Sequence, residues 1–289
     1  MVNPPIIVFA RPCSKGNMGA MARVMANFGL EELRIVEPEN GFHPDRIENE
    51  VSFQDWALAT KKGKEILEKH KSYKKIEEAI ADCQMAIGSS GKNEEFPKGY
   101  ARPYVSSGHA FNTVYSWQKS TEDNSFKWAL IIGSEKDGLN KVESSFCQKI
   151  ITIATAENAK SINAAMCLGM LLYHLQIFTP DKDFELAQDQ GAFLAPESSI
   201  RAISYSEPNR NQFSTIEEKE KLINYVMESL AKTSFLKHPD HERFRARIRR
   251  WLQGQPIPVS ELLFMFEIFY HLKCYGSGNF ENRDFLKKR

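Results

Sequence analysis

Three stretches of the chain combine glycine with polar side chains at places where backbone could meet a ligand. The first is Lys15-Gly16-Asn17-Met18-Gly19. Its glycines carry no Cβ, so the main chain can be approached closely, and Asn17 suits the cap of a following helix. Arg23 lies on the first turns of that helix, off its apolar face and near the strand ends. The second is Gly133-Ser134-Glu135-Lys136-Asp137-Gly138-Leu139. Gly133 at a strand end would admit a planar ligand to the backbone. Glu135 would cap a helix from Asn140 or hold a polar group of the ligand. The third runs from Ile153 through Lys160, Ser161 and Ile162 to Asn163, and opens a strongly apolar segment. Ser161 and Asn163 are capping types, and a helix start also presents unpaired amides to a ligand. Ser89-Ser90-Gly91, after another apolar run, would add a further wall to the same pocket. Ordinary capped helices and tight turns carry each of these patterns too, so none alone fixes a chemistry.

The elements that must hold these loops follow from hydrophobic periodicity. Ile6 to Phe9, Leu33 to Val36, Met85 to Ile87, Trp128 to Ile132 and Ile150 to Ile153 are short apolar runs of β type. Between them, Met18, Met21, Ala22, Met25 and Phe28 share one helical face, and Gly29 stops that helix. Lys64 to His70 and Ile76 to Cys83 also have helical spacing. Ile162 to Phe178 is apolar all round, which predicts a helix buried on most sides. Strand–loop–helix repetition implies an α/β domain with a largely parallel sheet, whose ligands sit beyond the carboxyl ends of strands. The pattern gives a first domain at 1–179, a linker at 180–214 in which Phe184, Phe193 and Tyr205 could dock, a small all-helical domain at 215–275, and a mobile tail at 276–289. The helical domain rests on Leu222, Tyr225, Val226 and Leu230, then Phe244, Ile248 and Trp251, then Leu262, Phe266, Phe269 and Leu272.

The chain has 289 residues, with 38 Lys and Arg against 37 Asp and Glu. That balance predicts neither a nucleic-acid nor a membrane partner, so any basic surface must be local. The helical region is net basic and the remainder net acidic. Arg243, Arg245, Arg247, Arg249 and Arg250 crowd one helix, with Arg243, Arg247 and Arg250 on one face and Arg245 and Arg249 on the opposite flank of the apolar stripe. Guanidinium forks suit phosphate oxygens, and a solvated, ion-paired helix explains the same pattern. A second basic run includes Lys61, Lys62, Lys64, Lys69, Lys71, Lys74 and Lys75, and a solvated helix accounts for it. Five scattered cysteines without a CxxC pair imply a reducing, cytoplasmic compartment and neither a disulfide framework nor a zinc site. His238 and His241 form an HxxH pair with no further ligands nearby, so no metal is expected. The start of the chain lacks a signal-peptide pattern, and the most apolar stretch is too short for a membrane span.

In this order and spacing, the three loops resemble those of the SPOUT RNA methyltransferases, in the branch that methylates ribose 2′-hydroxyls. GNMGAMARVMANFGLEELRIVEP, IIGSEKDGLN and ITIATAENAKSINAAMCLGMLLY are similar to its first, second and third motifs. FSTIEEKEKLINYVMESLAKTSFL and HERFRARIRRWLQGQPIPVSELLFMFEIF resemble the helical extension of TrmJ-type tRNA methyltransferases. The resemblance implies a parallel α/β sheet with a C-terminal trefoil knot, plus the helical domain. It implies S-adenosylmethionine as cofactor, held by Ser89, Ser90, Gly91, Gly133, Ile153, Lys160, Ser161 and Ile162. It implies a homodimer in which Arg23 of one subunit completes the site of the other. The substrate would be tRNA, methylated at nucleotide 32 of the anticodon loop and gripped by Arg245, Arg247, Arg249 and Arg250. Arg23 would position ribose and phosphate, Asn17 would orient the loop or substrate, Glu135 would organise the second loop, and Asn163 would anchor the knot. Ser134 stands where relatives often have Asn or Arg, and Lys160 where a second serine is common. A lysine there is unfavourable beside a sulfonium unless it turns outward. The segment around Pro97 to Pro103 matches poorly. Methylation of ribosomal RNA, a non-catalytic RNA-binding member of the family, and an α/β nucleotide-binding protein unrelated to RNA are the other readings.

Overall fold

Among the described residues seven runs pair as strands: Ile6–Ala10 (β1), Leu33–Val36 (β2), Lys71–Tyr73 (β3), Met85–Ser89 (β4), Tyr104–Val105 (β5), Trp128–Ile132 (β6) and Lys149–Ile151 (β7). In this computed structural model, the described residues are 2–36, 60–90, 104–121, 125–155, 161–178, 213–231 and 241–276. All pairings are parallel, in the order β3-β2-β1-β6-β4-β7-β5. β1, β4 and β6 are buried on both faces, which is why they read as unbroken apolar runs rather than alternating ones. Alternate residues still divide the core. Ile7, Phe9, Ile35, Met85, Ile87, Leu130 and Ile132 lie on one side, with Val8, Ala10, Ala86, Ala129, Ile131 and Ile150 on the other. The strand assignment from sequence shifts at several ends, with Ala10 added to β1 and Lys149 to β7. Gly88 and Ser89 belong to β4, and Ile153 lies beyond β7. β3 and β5 were invisible to periodicity because three polar residues at an edge, or two residues alone, carry no period.

The helices of this part are Lys15–Asn27 (α1), Lys61–Glu68 (α2), Ile76–Ala79 (α3), Ser107–Lys119 (α4), Lys141–Phe146 (α5) and Ala164–Ile177 (α6). Met18, Met21, Ala22 and Met25 of α1 are fully buried against the sheet. Each methionine so buried contributes roughly 1.5–3 kcal/mol. Gly29 ends α1 at φ +70°, the left-handed conformation that favours glycine. The expected helix from Ile76 to Cys83 is a single turn. Expectation also fails for α6. Met166, Met170, Tyr173 and Ile177 are 49–64% exposed, so one face of this apolar helix is uncovered. The other face, Leu168, Leu171 and Leu172, is in the core.

The C-terminal part contains Ile216–Ala231 (α7), His241–Gln253 (α8) and Val259–Gly276 (α9). Leu222, Ile223, Val226, Met227, Leu252, Ile257 and Leu262 form its core. Trp251, expected on the apolar stripe, is 62% exposed, and Leu252 takes the inward position. α7 is tied to the sheet domain. The Ile216 and Glu217 amides donate to the Cys83 and Ala81 carbonyls at 2.8 and 3.2 Å, and Ile216 is buried in the sheet core. A capping box closes that helix start: the Glu218 amide donates to Thr215 Oγ1 at 3.2 Å, and the Thr215 amide to Glu218 Oε2 at 2.7 Å. Residues 180–212 of the expected linker and 277–289 of the expected tail lie outside the described residues, as do Gly91, Lys160, Pro97 to Pro103 and His238.

At this junction Lys219 is fully buried. Its ammonium donates to the Gln255 carbonyl at 3.0 Å and lies 5.4 Å from the centre of the Trp117 ring. Burial pushes its pKa down to about 7, with Glu218 pulling weakly upward. Below that value the folded and unfolded chains both hold the proton, and the cost of burying the charge is fully present. Between about 7 and about 10 only the unfolded chain holds it, so this group makes stability rise with pH. The melting temperature of Lys219→Met minus that of wild type should therefore fall by several degrees between pH 6.5 and 9.5 in differential scanning fluorimetry. A difference that does not change with pH would remove Lys219 from the pH dependence.

Candidate active site

The carboxyl ends of β4, β6 and β7 open into one cleft of about 820 Å³ including its mouth. Ser89 and Ser90 line it at the end of β4, Gly133, Ser134, Glu135 and Lys136 after β6, and Ile153, Ser161 and Ile162 after β7. The structure thus brings together the side chains singled out in three of the sequence loops. Ile132, Ile151 and Ala164 add apolar wall. Cys167 also lines the cleft, and burial pushes its thiol pKa up. A lone cysteine inside an apolar helix gave no sequence signal for that position.

The second loop doubles back on itself. The Ser134 amide donates to the Gly138 carbonyl at 3.2 Å, and the Gly138 amide returns a bond to the Ser134 carbonyl at 2.8 Å. Gly138 takes φ +68°. A Cβ on Gly133 would lie 2.3 Å from the Gly138 carbonyl carbon. Asn140 then caps α5, with Glu143 completing the capping box.

Glu135 is not the cap of that helix. It turns to the other loop, where Oε2 accepts the Cys13 amide at 2.8 Å and Oε1 accepts the Ser14 amide at 3.2 Å and Asn17 Nδ2 at 2.8 Å. A carboxylate beside the amides at the start of α1 is favourable there. Ser14, the N-cap residue, makes no side-chain capping bond. Asn17 does not cap either, because α1 begins at Lys15. Its Oδ1 instead accepts Asn163 Nδ2 at 2.7 Å. Asn163 Oδ1 accepts the Ala165 and Met166 amides at 2.9 and 3.4 Å, capping α6. Glu135, Asn17 and Asn163 therefore form one hydrogen-bonded chain that ties the three loops together. Arg23 is exposed and is not among the residues lining the cleft of its own chain. Its helix packs beside α6, where Val24 approaches Gly169.

Sequence reading missed Arg11 and Glu143. Arg11 Nε donates to Glu143 Oε1 at 2.6 Å, and Nη2 to Glu143 Oε2 at 3.1 Å and the Gly138 carbonyl at 2.9 Å. This pairing raises the Arg11 pKa. The only sequence signal was an arginine directly after an apolar strand.

On α8, Arg243, Arg247 and Arg250 are exposed. Arg245 Nη1 donates to Asn224 Oδ1 at 2.5 Å. Arg249 is turned inward, with its side chain 12% exposed. It forks onto Glu220 with both bonds at 2.7 Å, donates to Ser145 Oγ at 3.1 Å and stacks 4.3 Å from the centre of the Phe146 ring. The Arg249 guanidinium thus docks α8 onto α7 and α5. Among the described residues no group of three or more His, Cys, Asp or Glu gathers as a metal site, and no helix is long and apolar enough to cross a membrane.

A parallel sheet whose carboxyl-end loops enclose an apolar cleft edged with hydroxyls defines an α/β protein with a ligand cleft at its strand ends. Residues 4–173 match the SpoU rRNA Methylase family, and the chain belongs to that family. It is 28% identical over 169 residues to the tRNA (cytidine-2′-O-)-methyltransferase TrmJ of Methanocaldococcus jannaschii, covering 58% of this chain and 66% of that protein. It is 23% identical over 277 residues to the tRNA (cytidine/uridine-2′-O-)-methyltransferase TrmJ of Escherichia coli K12, covering 94% of this chain and 96% of that protein. The crystal structure of TrmJ from Z. mobilis ZM4 superposes with a TM-score of 0.66 at 20% identity, over 94% of this chain and all of that one. Family membership removes the reading of an unrelated nucleotide-binding protein.

Proposed function

We propose that the protein is a tRNA 2′-O-methyltransferase that uses S-adenosylmethionine and acts on the ribose of nucleotide 32 in the anticodon loop. The observation that carries this reading is the Glu135–Asn17–Asn163 chain, which holds three loops around one cleft. The cleft fits the cofactor chemically. Ile132, Ile153 and Ile162 offer an apolar slot for a purine, and Ser89, Ser90 and Ser161 offer hydroxyls to ribose and amino-acid groups. When bound, S-adenosylmethionine supplies an activated methyl group on sulfur. Held by Ser89, Ser90 and Ser161, it would give that methyl group to the ribose 2′-oxygen and leave as the neutral thioether, with the hydroxyl proton passing to water at the mouth of the cleft. The residues of the chain orient the reactants and exclude water. Arginine stays protonated at neutral pH, so Arg23 serves to hold ribose and phosphate and to stabilise negative charge developing on the oxygen.

Two further parts belong to this reading. A second copy of the chain covers Met166, Met170, Tyr173 and Ile177 of α6, and Arg23 is delivered to the cleft of that copy. The chain after β7 threads as a trefoil knot. The protein works in the cytoplasm, where its substrate is. The tRNA reading is preferred over ribosomal RNA because the likeness to the E. coli protein extends through the helical region. Labelled S-adenosylmethionine incubated with tRNA and with ribosomal RNA, followed by mapping of the methylated nucleotide, tests the substrate. Label confined to ribosomal RNA, or absent from both, rejects it.

The exposed arginines of α8 meet the tRNA phosphates in this reading. Changing Arg243, Arg247 and Arg250 together to Ala should weaken tRNA binding at low salt. It should also flatten the slope of log K against log salt by about one for each phosphate that is no longer neutralised. Arg249→Ala should lower the melting temperature by loosening α8 from Glu220 and Ser145. An unchanged salt slope in the triple variant would make this face an ordinary solvated one.

A further inference from the structure

We propose that Arg11 is a positioning residue for the cofactor, holding Gly133–Leu139 in the shape that walls the cleft. The proposal rests on the cofactor reading above. Arg11 follows β1 and is the one non-glycine among the described residues with positive φ, at 52°. Such a conformation is strained and persists where surrounding contacts over-determine it. Here they do. The Arg11 amide donates to the Val36 carbonyl at 2.9 Å, which fixes the backbone at the end of the sheet. The guanidinium then spans from the first loop to the second, forking onto Glu143 and donating to the Gly138 carbonyl. That carbonyl also accepts the Ser134 amide, so it is the hinge point of the doubled-back loop. Glu143 is 5% exposed at its side chain and accepts the Asn140 amide at 2.8 Å. Without Arg11, a nearly buried carboxylate would keep, among the described residues, the Asn140 amide alone.

The same short strip of chain holds the loop a second time. Cys13 and Ser14 donate their amides to Glu135, two residues past Gly133. Residues 11–14 therefore clamp the loop at both ends: Glu135 near its start and Gly138 near its close. Arg11 does not line the cleft, so it acts through the loop. A lysine could supply the charge but not the fork, because one ammonium cannot reach both Glu143 oxygens and the Gly138 carbonyl in the same planar geometry.

The test compares wild type with Arg11→Gln and Arg11→Lys in the full chain. S-adenosylmethionine affinity is measured by calorimetry, tRNA affinity without cofactor by filter binding, and amide hydrogen exchange at Ser134 and Gly138 by NMR. Arg11→Gln should raise the cofactor Kd and KM roughly tenfold or more, leave kcat at saturating cofactor within about threefold, and leave tRNA affinity unchanged. Arg11→Lys should recover part of the loss. Exchange at both amides should accelerate relative to amides of β1. A general loss of stability would move tRNA binding and kcat as well. Unchanged exchange, or a cofactor Kd within twofold of wild type in Arg11→Gln, overturns the proposal. A wild-type chain that binds no S-adenosylmethionine overturns the cofactor reading and this proposal with it; accelerated exchange in Arg11→Gln would then leave only the loop clamp standing.

Discussion

Arg23→Ala should lose methyl transfer to tRNA by about 10²–10³-fold, the range expected when one donor aimed at a developing oxyanion is removed. S-adenosylmethionine affinity should stay within a few fold, because Arg23 does not line the cleft of its own chain. Its fold should be unaffected, since the side chain is exposed on α1 while Met18, Met21 and Met25 carry the packing of that helix. Arg23→Lys should recover little if planar, two-point contact with ribose and phosphate is what matters. The proposed dimer makes a sharper version possible. If Arg23 acts across subunits, an Arg23→Ala chain mixed with a chain inactivated in its own cofactor cleft should regain activity at one of the two sites. Single-turnover assays on the mixture measure this. Turnover in Arg23→Ala equal to wild type would remove the residue from the mechanism. Failure of the mixed dimer alone would place its action within one chain.

The buried half of the architecture was legible because it obeys periodicity. The β1, β2 and β6 runs and the Met18–Met21–Met25 face all appear in the sequence, since helices cover both faces of the sheet and leave no polar alternation. Legibility ended where one side chain serves a partner far away in sequence. Asn17 has a capping residue's chemistry, but its partners are 118 and 146 residues away in the chain. Glu135 does stabilise a helix start, though that of α1 and not the one that follows it. Arg249 looked like its four neighbours. Only the approach of Glu220 and Phe146, set by how α8 crosses α7 and α5, separates it from them. For α6, apolar composition predicts burial within the chain, while the structure uncovers Met166, Met170, Tyr173 and Ile177 on one side. Composition reports that a surface avoids water and leaves open which molecule supplies the cover.

The glycines of the first two loops show the same limit and lead to opposite expectations. In sequence, Gly16 and Gly133 look alike, as points of close backbone approach. At Gly16 an added Cβ would meet, among the described residues, only Ser14 Oγ at 3.6 Å, an ordinary contact, so Gly16→Ala should bind cofactor as wild type does. At Gly133 the added carbon would lie 2.3 Å from the Gly138 carbonyl carbon and 2.4 Å from the Leu139 amide nitrogen. Both are backbone atoms, so no side-chain rotation relieves the clash. The Ser134–Gly138 pair of hydrogen bonds must open, and with it go the Gly138 carbonyl that Arg11 holds and the wall that Glu135 and Ser134 give the cleft. Gly133→Ala should therefore weaken S-adenosylmethionine binding by about 10²-fold or more in calorimetry, with a lower melting temperature, while tRNA affinity measured without cofactor stays at the wild-type level. Binding within threefold of wild type would mean that the doubled-back loop is not the surface the cofactor meets.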